Sequence, residues 1–365
     1  MIRPFIKGLA LSELFFREAV KPILADRFPN LIYSAARLDR GSDVLGYDTP
    51  RSTDHGWGPR LQLFVSEADY ERHRAEMVRV LSETLPYEIH GYPTHFDKPD
   101  IGDAALTEIE SGPVTHGVTI HTVRSFFVEY LGHDPRDGLA VTDWLTFPEQ
   151  RLRTIASGRV FHDGLGELES IRESVRYYPR DLWLYLLAGQ WRRIDQEEPF
   201  MGRCGEVGDE LGSRLLAARL VREVMKLCFL MERQYAPYSK WFGTAFAELK
   251  CAPTFRPIFE RVLNAQTWPE RERHLSAAYE AAAEQRNGLG ITPPLPAQVS
   301  SFHDRPYQVI HSGQFVETIQ AAITDAAVRQ LPLNLGSVDQ FVDSTDVLDD
   351  TERARKLEVM YQKDV

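Results

Sequence analysis

Arg40-Gly41-Ser42-Asp43, followed after a short spacer by Thr53-Asp54-His55-Gly56-Trp57-Gly58, is the stretch on which the fold reading turns. An apolar run from Leu31 to Leu38 precedes it and a second, Leu61 to Val65, follows it. Both have the length and β-branched or aromatic content of strands. Eleven residues separate Ser42 from Asp54. Strand, Gly-Ser turn, spacer and an acid at a strand edge form an arrangement that can hold a triphosphate beside a metal. Gly41 lets the backbone approach phosphate oxygens. Ser42 adds a hydroxyl donor. The Asp54 carboxylate suits Mg²⁺ (or Mn²⁺), which takes oxygen ligands and bridges to substrate phosphates.

These residues resemble the signature of the nucleotidyltransferase superfamily that includes DNA polymerase β and the antibiotic nucleotidyltransferases. That signature is Gly-Ser, about a dozen residues, then two acids one residue apart. Gly41, Ser42 and Asp54 match it; Gly56 stands where the second acid is expected. On a strand, residues 54 and 56 would share a face, so Gly56 removes one ligand from a two-metal clamp. Asp43 or Asp48 is the candidate substitute, and Asp43 is taken as a second metal ligand; turn chemistry is the competing reading of both. A third acid is expected on a later strand. The plausible slot, in Val118-Thr119-Ile120-His121-Thr122-Val123, holds His121. It reads either as a neutral strand residue facing solvent or as a base or phosphate contact near Asp54.

Outward from this stretch, Leu9 to Ala25 carries apolar residues at helical spacing, with Pro22 as a kink or stop. Ser66-Glu67-Ala68-Asp69 has the form of a capping box and opens a helix to about Glu83. Tyr87 to Tyr92 suggests a strand, and residues 93–113, rich in Pro, Asp and Gly, a loop. Asp143 to Ile155 reads as helical, and Gly158 to Gly164 as a strand entering a turn. The domain boundary is expected near residue 172, giving domains of 1–172 and 173–365. The second is mainly helical: Leu216, Leu220, Val224, Leu227 and Met231 form the core stripe of one long helix. The acidic stretch Asp339 to Asp350 reads as a solvated or mobile cap.

Two stretches of the second half stand apart from simple core. Arg203-Cys204-Gly205-Glu206-Val207-Gly208-Asp209-Glu210-Leu211-Gly212-Ser213 is polar and Gly-rich before the long helix. There Asp209 and Ser213 read as helix caps or as residues facing an anion. Tyr235-Ala236-Pro237-Tyr238-Ser239-Lys240-Trp241-Phe242-Gly243 follows that helix. Lys240 with an aromatic shelf that includes Tyr238 suits a phosphate and a base, or else an amphipathic turn buries its aromatics. With Tyr177-Tyr178-Pro179 and the Gly-Ser motif, these stretches resemble the bacterial and fungal family called domain of unknown function 4037, over about Phe5 to Leu333. An acid follows Asp54-His55 in that pattern, and Gly56 departs from it. The resemblance implies an α+β nucleotidyltransferase-like mixed sheet with helices, followed by a helical bundle closing over the nucleotide. It implies transfer of a nucleoside monophosphate from an NTP, ATP foremost, to a hydroxyl of a small molecule or protein, with release of pyrophosphate. In that scheme Gly41 and Ser42 hold phosphates, Asp54 holds Mg²⁺, Lys240 faces the triphosphate, and Arg203, Asp209 and Glu210 position the acceptor or the metal. A catalytically degenerate nucleotide- or metabolite-binding protein of the same fold and a helical interaction protein with no nucleotide site are the two alternatives.

Apolar residues make up 43% of the 365 and the formal net charge is −11. The chain is long enough for one large or two ordinary domains with a substantial core. An acidic balance disfavours a broad nucleic-acid or membrane surface. Cys204, Cys228 and Cys251 show no zinc spacing and no disulfide framework, and no signal peptide or membrane span is apparent. The expectation is a reduced, cytosolic protein.

Overall fold

The computed structural model describes residues 4–97 and 104–362. The chain divides into two compact units: Met1–Gly138 with Arg151–Arg176, and Leu139–Gln150 with Tyr177–Val365. The main chain break thus falls at residue 176, and a short segment around Trp144 belongs to the helical unit.

The first unit is built on a four-stranded mixed sheet. Its strands are β1 (Tyr33–Arg37), β2 (Arg60–Val65), β3 (Gly117–His121) and β4 (Arg159–Asp163), in the order β3-β2-β1-β4. β1 runs antiparallel to both neighbours, and β2 runs parallel to β3. Tyr33 pairs with Val65 and Ala36 with Gln62; Arg37 pairs with Arg159; Arg60 pairs with Gly117. One end of the sheet therefore gathers the C-terminal end of β1 and the N-terminal ends of the other three strands.

Both faces of β2 are covered, and five of its six residues are buried. Leu61, Leu63 and Val65 alternate onto one face and pack with Phe15, Phe16, Val20, Leu24, Met77 and Leu81. Gln62 and Phe64 take the other, where the Phe64 ring meets Phe126 edge-on at 5.2 Å between centroids. Each such apolar side chain contributes on the order of 1.5–3 kcal/mol by leaving water. The helix read over Leu9 to Ala25 is present as Gly8–Phe15, a π turn Phe16–Val20, and Lys21–Arg27. Pro22 has no N–H for a regular turn, and the π turn is the local adjustment beside it. The N-cap forms, without the reciprocal backbone bond of a full capping box: Ser66 Oγ accepts from Asp69 N at 3.1 Å and opens Glu67–Thr84, and it donates to Asp69 Oδ2 at 2.7 Å. The region read as a loop from 93 holds more structure than its composition suggests. His95–Asp97 pairs with Ala105–Thr107, beside a tight hairpin at Glu88–Ile89 and Tyr92–Pro93; residues 98–103 lie outside the described set.

The second unit is mainly helical, with Arg180–Glu197, Glu210–Met231, Ala252–Asn264 and Trp268–Gly288 as its long elements. The stripe on Glu210–Met231 is core: Leu220, Val224, Leu227 and Met231 are buried. The acidic stretch from Asp339 is docked rather than solvated at its start. Val338 and Gln340 are buried, and Gln340 Nε2 donates to the Leu186 carbonyl and to Gln190 Oε1, each at 3.0 Å. The three cysteines are free thiols. Among the described residues no helix is long and apolar enough to cross a membrane.

Candidate functional site

The antiparallel pairing of β1 with β2 brings the Gly-Ser turn and Asp54 to the same end of the sheet. The turn leaves the C-terminal end of β1, and Asp54 lies six residues before β2. The turn is compact: Gly46 N donates to Asp43 O at 3.1 Å and Tyr47 N to Ser42 O at 2.9 Å. At Gly41 φ is +155°, and a Cβ there would stand 1.9 Å from Asp43 Oδ1. Glycine is required at this position by the turn's own packing.

Asp54 does not sit on a strand. It ends a 3₁₀ turn, Pro50–Asp54, held by Thr49 N to Ser52 Oγ at 3.0 Å and Thr53 Oγ1 to Pro50 O at 2.9 Å. Its side chain is 62% exposed, and its Oδ1 lies 2.9 Å from His55 Nδ1. Gly56 follows in the left-handed region, φ 58°. Its N–H donates to the Ala104 carbonyl, and its own carbonyl accepts from Arg60 Nη1. The alternation expected of residues 54 and 56 therefore does not exist, because the chain turns there instead of extending.

The acids offered as substitutes for position 56 are engaged elsewhere. Asp43 is buried and receives Arg37 Nε at 3.0 Å and Arg37 Nη2 at 3.3 Å. Asp48 is buried too; its Oδ2 accepts from Gly8 N at 2.6 Å and Trp57 Nε1 at 2.9 Å, and Lys7 Nζ lies 3.4 Å from Oδ1. Asp43 as a metal ligand is thus corrected to Asp43 as the partner of a buried arginine. Asp48 is a clasp joining the first helix to the loop.

His121 and Asp54 lie towards opposite ends of β2. His121 pairs with Phe64, four residues beyond Arg60, which is about 13 Å along a strand. The His121 ring packs near Phe64 and Phe126, at 6.2 and 5.6 Å between centroids. Burial lowers its pKa, the Glu129 carboxylate opposing and the Arg74 guanidinium adding to the effect. The structure does not bring it to Asp54, and it is corrected to a half-buried ring contact.

In the helical unit the candidate residues have structural partners. Asp209 caps Glu210–Met231, accepting from Gly212 N at 2.8 Å. Ser213 is buried and receives Arg271 Nη1 at 2.7 Å. Glu210 accepts from Arg271 and Arg214, which hold its carboxyl below the usual range. Arg203 pairs with Glu206 at 2.9 Å on the Phe200–Glu206 helix. Tyr238 precedes Ser239–Phe246 and donates its N–H to Gln150 Oε1 at 3.1 Å. The Lys240 ammonium stands 5.2 Å from the ring centroid of the adjacent Trp241, which supplies its aromatic shelf.

Among the described residues no group of three His, Cys, Asp or Glu side chains is placed to hold a metal ion. A resident two-metal clamp does not fit this donor set. A single Mg²⁺ arriving on a triphosphate does, since it needs one or two carboxylates and takes its other oxygens from phosphates and water. Asp54 carries an exposed carboxylate that could hold such an ion. The residue that sequence reasoning missed is Arg37. Its signal was a lone cation in the apolar run Tyr33-Ser34-Ala35-Ala36-Arg37-Leu38 with Asp39 and Asp43 just beyond.

No curated protein matches the chain. Among solved structures, a nucleotidyltransferase-like protein from Exiguobacterium sibiricum 255-15 is similar at 10% sequence identity. The match covers 76% of this chain and 78% of that one, with a TM-score of 0.32. The Gly-Ser turn and Asp54 lie outside the segment matched by a family model, whereas Tyr177-Tyr178-Pro179, Asp209, Ser213 and Lys240 lie inside it. Residues 144–242 of this chain are similar to a family model described as Domain of unknown function (DUF4037).

Proposed function

We propose that the first unit binds a nucleoside triphosphate, ATP foremost, with one Mg²⁺ or Mn²⁺ that arrives on the nucleotide. We further propose that the protein transfers the nucleoside monophosphate to a hydroxyl acceptor on a small molecule or protein. In that reaction the acceptor oxygen bonds to the α-phosphorus, the bond to the α–β bridging oxygen breaks, and pyrophosphate leaves. The acceptor proton passes to water. Gly41 and Ser42 are the phosphate-facing residues, and Asp54 is the metal ligand. The observation that supports this reading is that the Gly-Ser turn leaves β1 at the end of the sheet where β2 begins, six residues after the exposed Asp54 carboxylate. Such chemistry needs positioning and charge neutralisation more than covalent help.

A second reading, nucleotide binding without transfer, is favoured by the carboxylates. Asp43 and Asp48 are engaged in internal contacts, and position 56 carries none. One experiment separates the two. Thermal unfolding with ATP and Mg²⁺ reports binding, because a ligand taken by the folded state alone at a hundred times its Kd stabilises by about 2.7 kcal/mol. Pyrophosphate release with a panel of hydroxyl acceptors reports transfer. A thermal shift with pyrophosphate supports the first reading; a shift without it supports the second. No shift with any NTP removes both.

A further inference from the structure

We infer that Arg37 is the positioning residue of the Gly-Ser turn: from inside the loop it sets the geometry with which Gly41 and Ser42 meet phosphate oxygens. The inference rests on the nucleotide reading above. Arg37 ends β1 and is fully buried. Its guanidinium grips Asp43 through Nε and Nη2, donates Nη2 to the Arg40 carbonyl at 3.0 Å, and contacts the Asp39 carboxylate. Every one of these acceptors lies in residues 39–43, on both sides of Gly41-Ser42. The planar fork of arginine fixes several acceptors at once, which a lysine ammonium does not.

Gly41 is part of the same device. A Cβ at that position would fall 1.9 Å from Asp43 Oδ1 and 2.9 Å from Arg37 Nη2. The glycine is therefore demanded by the ion pair, and the pair in turn dictates the path of the Gly-Ser backbone. Burial draws the Arg37 guanidinium down to about 10, so it stays protonated at neutral pH, and Asp43 neutralises it. Arg37 is thus a strut for the loop and not a phosphate ligand. A buried ion pair is a poor way to gain stability, since well-packed apolar residues often do as well or better. Its location at the root of this one turn points to a geometric role.

The test compares Mg²⁺·ATP and AMP binding by calorimetry in the wild type, Arg37→Lys, and the double variant Arg37→Met with Asp43→Leu. Melting temperatures are taken without ligand. The double variant is expected to melt near the wild type, while its preference for ATP over AMP falls about tenfold and its AMP affinity holds, as for the loss of one or two charge-assisted hydrogen bonds. Arg37→Lys, which keeps the charge, is expected to fall in between. A folded variant that keeps the wild-type ATP-to-AMP ratio overturns the inference. So does loss of the melting transition in both variants, which would make Arg37 a purely structural strut. A wild type that binds no ATP fails before any variant is compared; that result removes the nucleotide reading itself.

Discussion

Gly56 has a backbone that most side chains resist, φ 58°, yet aspartate is among the few residues that enter this region readily. Gly56→Asp is therefore expected to fold, at a cost of about 1 kcal/mol. It places a second carboxylate two residues from Asp54. If the missing acid limits turnover, pyrophosphate release from Mg²⁺·ATP rises at least about tenfold, since even a residue that only orients a metal ligand is worth about that much. An unchanged rate in a folded variant would show that position 56 is not what limits the chemistry. Asp54→Asn is expected to abolish the Mg²⁺-dependent part of the ATP thermal shift and to leave ligand-free melting within about 0.5 kcal/mol, because the side chain is exposed. Spacing alone singled out Gly41, Ser42 and Asp54 as candidates. It could not locate Arg37, because no periodicity records that a charged strand residue turns inward onto acids of the following loop.

Elements were legible wherever a local signal was complete. Ser66 with Asp69 announced its helix, and the stripe from Leu220 to Met231 announced its buried face. The stretch Arg203 to Ser213 left two readings open, helix cap or anion contact, because its glycines serve either; part of it is a helix, Phe200–Glu206, and Asp209 caps the next. Gly205 is glycine because Trp268 lies against it: a Cβ would fall 2.2 Å from that ring's Cγ. Gly202 meets Tyr307 in the same way, at 2.6 Å from its Cβ. Gly205→Ala is accordingly expected to destabilise the protein by about 1–3 kcal/mol through overpacking, despite alanine's better helix propensity. Asp209→Ala is expected to lose about 1 kcal/mol, the ordinary worth of such a cap. Urea unfolding checks both. A loss of ATP binding by either folded variant would return this stretch to the functional residues.

At the scale of the whole molecule, the pH dependence of stability should carry the mark of Glu198, a carboxylate near the end of the long Arg180–Glu197 helix. It is buried, and it accepts from Ile310 N at 2.9 Å and Ser312 N at 3.0 Å. Burial pushes it up to about 7 from an ordinary 4.5; the two backbone donors oppose the rise, and the Asp195 carboxylate adds to it. The folded state thus holds a proton that the unfolded chain has released between pH 4.5 and about 7. Stability contributed by this group is fully present below pH 4.5 and is lost as pH rises through that window. The loss is of order 3 kcal/mol at most, at 1.36 kcal/mol for each pH unit of separation. Asp339, pushed up to about 6 by burial, acts in the same direction. Glu198→Gln carries no titrating proton, so the difference between wild-type and variant urea midpoints across pH 4.5 to 8 isolates this one group. The wild type should lose its advantage as pH climbs towards 7, since the other titrating carboxylates, Asp339 among them, are common to both curves. Parallel curves would mean that the Ile310 and Ser312 amides hold the carboxylate ionised throughout, with hydrogen bonding outweighing burial at this site.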